Sequence, residues 1–236
     1  MPKDPIHMER RKFVYAGLGA VIMALGGSVA YSLTKQLKVD KEVVGTLVDK
    51  DTALIIVDLQ NDFCPDGALP VEDGDKIIPI INKYIEKVEG AEGYIIATRD
   101  WHPHDHISFK EQGGIWPPHC VQGSEGAEFH KDLNHPEDAI IISKATKRDE
   151  EAYSGFQGTE LDNILREKRV KNLLIGGLAT DYCVKSTVLD ALSLDYEVYF
   201  LEDASKGVDL EKGDSERAIN EMIENGAKRI NFDGLK

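Results

Sequence analysis

The fold class this sequence predicts is α/β: a three-layer αβα domain around a mainly parallel, doubly wound sheet of about six strands. Two observations carry that reading. Continuous β-branched and apolar runs, such as ALIIVDL (53–59) and NLLIGGL (172–178), have the pattern of strands covered on both faces. Between such runs lie segments with apolar residues at helical spacing, and strand–helix alternation at this interval means parallel strands joined by helical crossovers. Right-handed crossovers then put helices on both faces of the sheet.

Taken in order, the first strand is 53–59, and Ile77, Ile78, Ile81, Tyr84, Ile85 and Val88 follow it at helical spacing. GYIIATRD (93–100) is the second strand, and a long loop rich in Trp, Pro and His runs from it to about residue 120. AIIISKA (139–145) is the third strand, and Leu161, Ile164 and Leu165 mark a helix before the fourth at 172–178. A helix over 181–194, a strand at 197–203, a helix over 214–225 and a last strand at 228–232 complete the body.

The first fifty residues read differently. Phe13 to Thr34 is a run of 22 residues without a charge, directly preceded by Arg10, Arg11 and Lys12. At about 1.5 Å per residue it could span roughly 30 Å of hydrocarbon. The positive-inside rule keeps its N-terminal side in the cytoplasm and places the body outside. ERRKFV resembles a twin-arginine export signal, and GSVAYS offers a small-x-Ala cleavage site after Ala30. Residues 1–34 are therefore expected to be an export signal or membrane anchor, and 35–50, rich in Lys, Asp and Glu, a linker.

Composition narrows the partners. The chain has 236 residues and a net charge of −14, and a phosphate backbone needs a basic footprint, so nucleic acid is excluded as a partner. Three cysteines at 64, 120 and 183, with no CxxC, do not make a disulfide framework.

In open parallel sheets ligands bind beyond the carboxyl ends of the strands. There the alternation delivers Asp58, Asp100, Lys144 and Asp203 at the ends of strands one, two, three and five, and Cys183 just after strand four. Thr180 is expected to cap the following helix, which puts Cys183 at its third position. A helix N-terminus and a nearby Lys144 ammonium both favour a thiolate, with Asp58 able to move a proton and free N–H groups able to hold an oxyanion. Position alone leaves two readings of Cys183 open, a nucleophile and a buried structural thiol.

Asp100 and His102 stand two apart at a strand end, and His119 follows across a loop long enough to fold back. One carboxylate and two imidazoles leave coordination positions open, as in a catalytic metal site. His104, His106 and Glu111 are further candidates; the two histidines read more simply as exposed loop residues.

VDLQNDFC, TRDWHPHDHISF, WPPHCVQG, SKATKRDEEAYSGF and GLATDYCVKST together resemble the nicotinamidase branch of the isochorismatase-like cysteine hydrolases, over roughly residues 50–233. The resemblance implies a hydrolase domain over 51–236 with Asp58, Lys144 and Cys183 as the catalytic set. It implies a divalent metal, usually zinc, on Asp100, His102 and His119. It further implies a non-proline cis peptide between Leu178 and Ala179, with the Ala179 and Cys183 N–H groups aimed at the oxyanion. Phe63, Trp116 and Tyr153 could line a pocket for a flat ring. The activity implied is conversion of nicotinamide and water to nicotinate and ammonia. A related hydrolase of carbamoyl or ureido compounds and a membrane-tethered, non-catalytic pyridine-binding protein are the alternatives. A homo-oligomer is the family's habit. Asp66 stands where a second glycine is common in the family, and an exported member departs from a mostly cytosolic group.

Overall fold

Six parallel strands form one sheet in the order β3-β2-β1-β4-β5-β6. The computed structural model describes residues 48–235, so the expected signal or anchor at 1–34, and all of the linker except 48–50, lie outside the described residues. The strands are β1 (Thr52–Val57), β2 (Tyr94–Asp100), β3 (Ile140–Lys144), β4 (Asn172–Leu178), β5 (Glu197–Lys206) and β6 (Lys228–Ile230). The helices are α1 (Ile78–Glu89), α2 (Leu161–Glu167), α3 (Lys185–Ser193) and α4 (Asp214–Glu224). Among the described residues no helix is long and apolar enough to cross a membrane.

Strand periodicity sorts the core into two layers. Leu54 and Ile56 of β1 join Ile78, Ile81 and Ile85 of α1 on one face. Ala53, Ile55 and Val57 join Leu161 and Leu165 of α2, Val188 of α3 and Met222 of α4 on the other. All six residues of β1 are buried, which is why its run carries no polar alternation. The β2–β3 connection holds short 3-10 turns and no α-helix; its Cys120, Ala127 and Leu133 close the α1 face.

The order of strands reverses direction between β1 and β4, so their carboxyl ends flank the crevice where such sheets bind ligands. The two strands approach closely here. A Cβ on Gly177, whose φ is +130°, would lie 2.1 Å from the Val57 carbonyl oxygen.

One expected site residue lies elsewhere. Asp203 does not end β5, which continues to Lys206. The β4–β5 register shifts between Ile175 and Gly177, whose partners are Phe200 and Ser205, so β5 carries extra residues there and Asp203 falls among them. Its carboxylate is used structurally, accepting from Tyr84 Oη at 2.8 Å and from the Phe232 N–H at 2.9 Å.

Candidate active site

Each strand end supplies one component. Asp58 directly follows β1 in the left-handed region (φ 50°), which aspartate tolerates better than most residues. It is fully buried; Oδ1 accepts from Thr98 Oγ1 at 2.7 Å, and Oδ2 lies 2.9 Å from Lys144 Nζ. Asp100 and Lys144, at the ends of β2 and β3, are register partners in the sheet, and the Lys144 ammonium also bonds Asp100 Oδ1. Lys144 Nζ lies 3.4 Å from Cys183 Sγ as well. One buried cation thus touches both carboxylates and the sulfur.

Charge balance within this group follows from burial. Loss of water pushes the Asp58 carboxyl up, and the Asp100 charge adds to that, against the pull of Lys144. Burial acts the same way on Asp100, but there Lys144, with His102 and His119, prevails and holds it below the usual carboxylate range. Burial alone would lower Lys144; the Asp100 and Asp58 carboxylates hold it well above its ordinary value, so it stays an ammonium.

Cys183 departs from the sequence expectation in two respects. Thr180 does not cap a helix: the capping position is Ala179, extended at φ −100° and ψ 146°, and residues Thr180–Val184 form a π-helical turn before α3. Tyr182 and Val184 both donate to the Ala179 carbonyl, and Cys183 is the fourth residue of the turn rather than the third. The Leu178–Ala179 peptide is cis. The second difference is the resting protonation state. Burial pushes the Cys183 thiol well above its usual range against the pull of Lys144, and the Asp58 and Asp100 charges add to the rise. A nucleophile here starts as a thiol and needs a base. The Cys183 sulfur and one oxygen each of Asp58 and Asp100 lie within 4.8 Å of one another, and the burial that pushes the Asp58 carboxyl up suits it to take that proton.

Beside this group, one atom each of Asp100, His102 and His119 also lie within 4.8 Å of one another, all buried. The His102 and His119 Nε2 atoms are 3.6 and 4.0 Å from Asp100 Oδ2. His119 Nδ1 is 2.8 Å from the Pro117 carbonyl, which can only accept, so Nδ1 carries the hydrogen and Nε2 presents its lone pair. Burial lowers His119, which keeps the ring neutral. Both His102 nitrogens are buried without a hydrogen-bond partner. An orphaned imidazole facing a second imidazole and a carboxylate fits a divalent metal held by an oxygen and two nitrogens. His104 and Glu111 are exposed and stand outside this group. His106 is not the exposed loop residue its sequence position suggests. It is buried, Nδ1 lies 2.7 Å from Ser108 Oγ and Nε2 3.1 Å from the Glu150 carbonyl, and its ring lies 4.3 Å from that of His102.

A cavity opens over these groups. Phe63, Trp116 and Tyr153 line it together with Asp100, His119 and Cys183. Trp116 Nε1 donates to Tyr153 Oη at 3.0 Å, which fixes both rings. Tyr182, Leu69, Val71 and Val208 also line it and were not anticipated. Gln60 is another omission. Its Oε1 accepts from the Asp100 N–H and its Nε2 donates to the Asp100 carbonyl, both at 2.8 Å, so a side-chain amide clamps the Asp100 backbone. A glutamine three residues past the end of a buried-type strand is the signal that could have found it.

The Isochorismatase domain profile matches residues 52–232, and the chain belongs to that family. Within it, the chain is 41% identical to the nicotinamidase of Escherichia coli over 196 residues, covering 74% of this chain and 92% of that protein. It is 56% identical to a pyrazinamidase of Pyrococcus horikoshii solved in complex with zinc, with a TM-score of 0.74 over 77% of this chain and 99% of the other. PnC1 of L. infantum, solved in complex with nicotinate, superposes with a TM-score of 0.75 at 32% identity, over 81% of this chain and 98% of the other.

Proposed function

We propose that the protein is a nicotinamidase, hydrolysing nicotinamide to nicotinate and ammonia through a thioester on Cys183. The observation that carries this reading is the sharing of Asp100 between two groups. One of its oxygens bonds Lys144, which contacts Asp58 and Cys183, and the other faces His102 and His119. Similarity to nicotinamidases, a pyrazinamidase with zinc and a relative with nicotinate supports the same substrate class.

The steps use this chain's own groups. Asp58 takes the Cys183 proton as sulfur attacks the amide carbonyl carbon. The Ala179 and Cys183 N–H groups hold the oxyanion. Asp58 returns the proton to the departing nitrogen, the C–N bond breaks, and ammonia leaves a nicotinoyl thioester. Asp58 then takes a proton from water, whose oxygen attacks the thioester; the C–S bond breaks, the proton returns to sulfur, and nicotinic acid departs, losing its own proton to solvent to become nicotinate. Lys144 stays charged throughout and offsets the negative charge that passes among Asp58, sulfur and Asp100. Phe63, Trp116 and Tyr153, which line the cavity, give the flat ring an aromatic wall. Asp100, His102 and His119 would hold a divalent metal, which we propose is zinc, and when bound it supplies a Lewis-acidic site for the lone pair of the pyridine nitrogen.

Neither alternative is favoured: a carbamoyl or ureido substrate has no use for a cavity lined by Phe63, Trp116 and Tyr153, and a binding protein has no use for a buried base beside a thiol. Ammonia release from nicotinamide by the purified full chain tests the proposal, with Cys183→Ala and a chelated sample alongside. Folded, zinc-loaded protein that releases none would reject it.

Residues 1–34 are proposed as an export signal or anchor that carries the domain to the outer side of a membrane, on the strength of the charge-free run behind Arg10–Lys12. Protease added to intact cells should then digest the domain, and protection until lysis would sink that reading. Self-association is proposed on family habit alone; sedimentation as a monomer at micromolar concentration would reject it.

A further inference from the structure

We propose that Asp181 is a positioning residue for the substrate pocket: it ties the wall residue Val208 to the turn that carries Cys183. This deepens the amidase reading and rests on it. Asp181 is the second residue of the π-helical turn and is buried, yet it contacts none of the reacting groups described above. Its carboxylate instead spans two successive peptide groups of the β5–α4 loop. Oδ1 accepts from the Val208 N–H and Oδ2 from the Asp209 N–H, both at 2.9 Å. Val208 lines the cavity together with Phe63, Trp116 and Cys183.

Neighbouring residues are arranged around the same tether. Gly207 leaves room for it, since a Cβ there would lie 1.8 Å from Ser215 Oγ and 3.0 Å from Asp181 Oδ1. Asp209, in the left-handed region at φ 50°, accepts from the Ser215 N–H at 2.9 Å and from Ser215 Oγ at 2.7 Å, which fixes the loop to the first turn of α4. A loop residue would ordinarily move independently of a site on another strand. Here charge-assisted bonds at both oxygens make the loop part of the rigid frame of the cysteine turn. The distance from Val208 to the sulfur is thereby fixed, and with it the size of ring that fits.

The test is steady-state kinetics of the full chain with nicotinamide and with ring-methylated nicotinamides. In Asp181→Ala, KM for nicotinamide should rise about tenfold with kcat within about threefold, because uniform binding is lost rather than transition-state contact. The methylated substrates should lose less, so selectivity for the unsubstituted ring narrows. Asp181→Asn keeps one acceptor and should fall between. Unchanged KM and selectivity, or a loss confined to kcat, would overturn the inference. If the alanine variant does not fold, the asparagine variant and hydrogen exchange of the wild type decide. The Val208 and Asp209 amides should be protected, and exchange at unstructured-chain rates would refute the tether. A wild type that does not hydrolyse nicotinamide rejects the amidase reading instead, so the two failures are distinct.

Discussion

The two ends of the sheet use the same charged residues to opposite effect. At the amino end, Lys171 pairs with Asp51 at 2.6 Å, with Lys171 largely exposed to water. At the carboxyl end, Lys144 pairs with Asp58 and Asp100 with all three side chains buried. The exposed pair exchanges easily for hydration, and such pairs add little to stability. The buried trio cannot exchange, so each member depends on the others, and removing one leaves an uncompensated charge. Charge at the amino end serves solubility, whereas at the carboxyl end it is held at the cost of desolvation because chemistry needs it.

The largest separation between the two ends should come from the nucleophile. Cys183→Ala should cut kcat by at least about 10³-fold, since residues acting as a unit fail together, while the unfolding midpoint stays near that of the wild type. Loss of activity together with a collapsed midpoint would mean the thiol matters chiefly to packing. Next, Lys144→Met should destabilise the fold by about 3–5 kcal/mol in urea, because Asp58 and Asp100 are left facing each other without a cation. A loss comparable to that of an exposed pair would erase the comparison.

Removing the metal should come third. Chelation should abolish ammonia release and lower the thermal midpoint, and zinc should restore both; a ligand that binds only the folded state stabilises by about 2.7 kcal/mol at a hundredfold excess over its Kd. Metal content of Asp100→Asn and His102→Ala, measured directly, checks that these residues hold it. A smaller effect concerns the buried thiols. Burial, with the Asp75 charge adding to it, pushes Cys64 up to about 11 from 9.0, and burial also raises Cys120 and Cys183 well above their ordinary value. Below pH 9 the thiols are protonated whether folded or not, so they leave stability unchanged. Between pH 9 and 11 the unfolded chain ionises while the folded one does not, so stability should fall as pH rises. Cys64→Ala should make that fall shallower in urea titrations; an unaltered slope would remove Cys64 from the account. At the bottom of the scale, Lys171→Ala should leave the thermal midpoint unchanged.

Much of this was legible in the sequence because it is local. The β-branched run of β1 announces a strand covered on both faces, and a polar residue directly after it, Asp58, announces a strand end. Alternation then brings Asp100, Lys144 and Cys183 to the same edge without any knowledge of contacts. Illegible features are those fixed by distant atoms. Gln60 reads as a loop glutamine until the Asp100 backbone arrives beside it. Asp203 reads as a strand end because the extra residues of β5 are visible only against β4. Thr180 looks like a cap because Ala179, an unlikely capping residue by type, does the work through its backbone. Lys144 does pull the Cys183 thiol down, as its position implies, but the burial that raises it comes from the whole fold and is not local.

The strand order has a consequence for synthesis. β1 ends at residue 57 and its inner neighbour β4 begins at residue 172. More than a hundred residues must leave the ribosome between them, roughly ten seconds at ordinary elongation rates. During that interval one edge of a mostly apolar strand has no partner, the kind of surface on which nascent chains aggregate. The same delay orders the chemistry in time. Asp58, Asp100 and Lys144 are all translated before Cys183, so the sulfur is the last part to arrive and emerges only when its partners are already present to receive it.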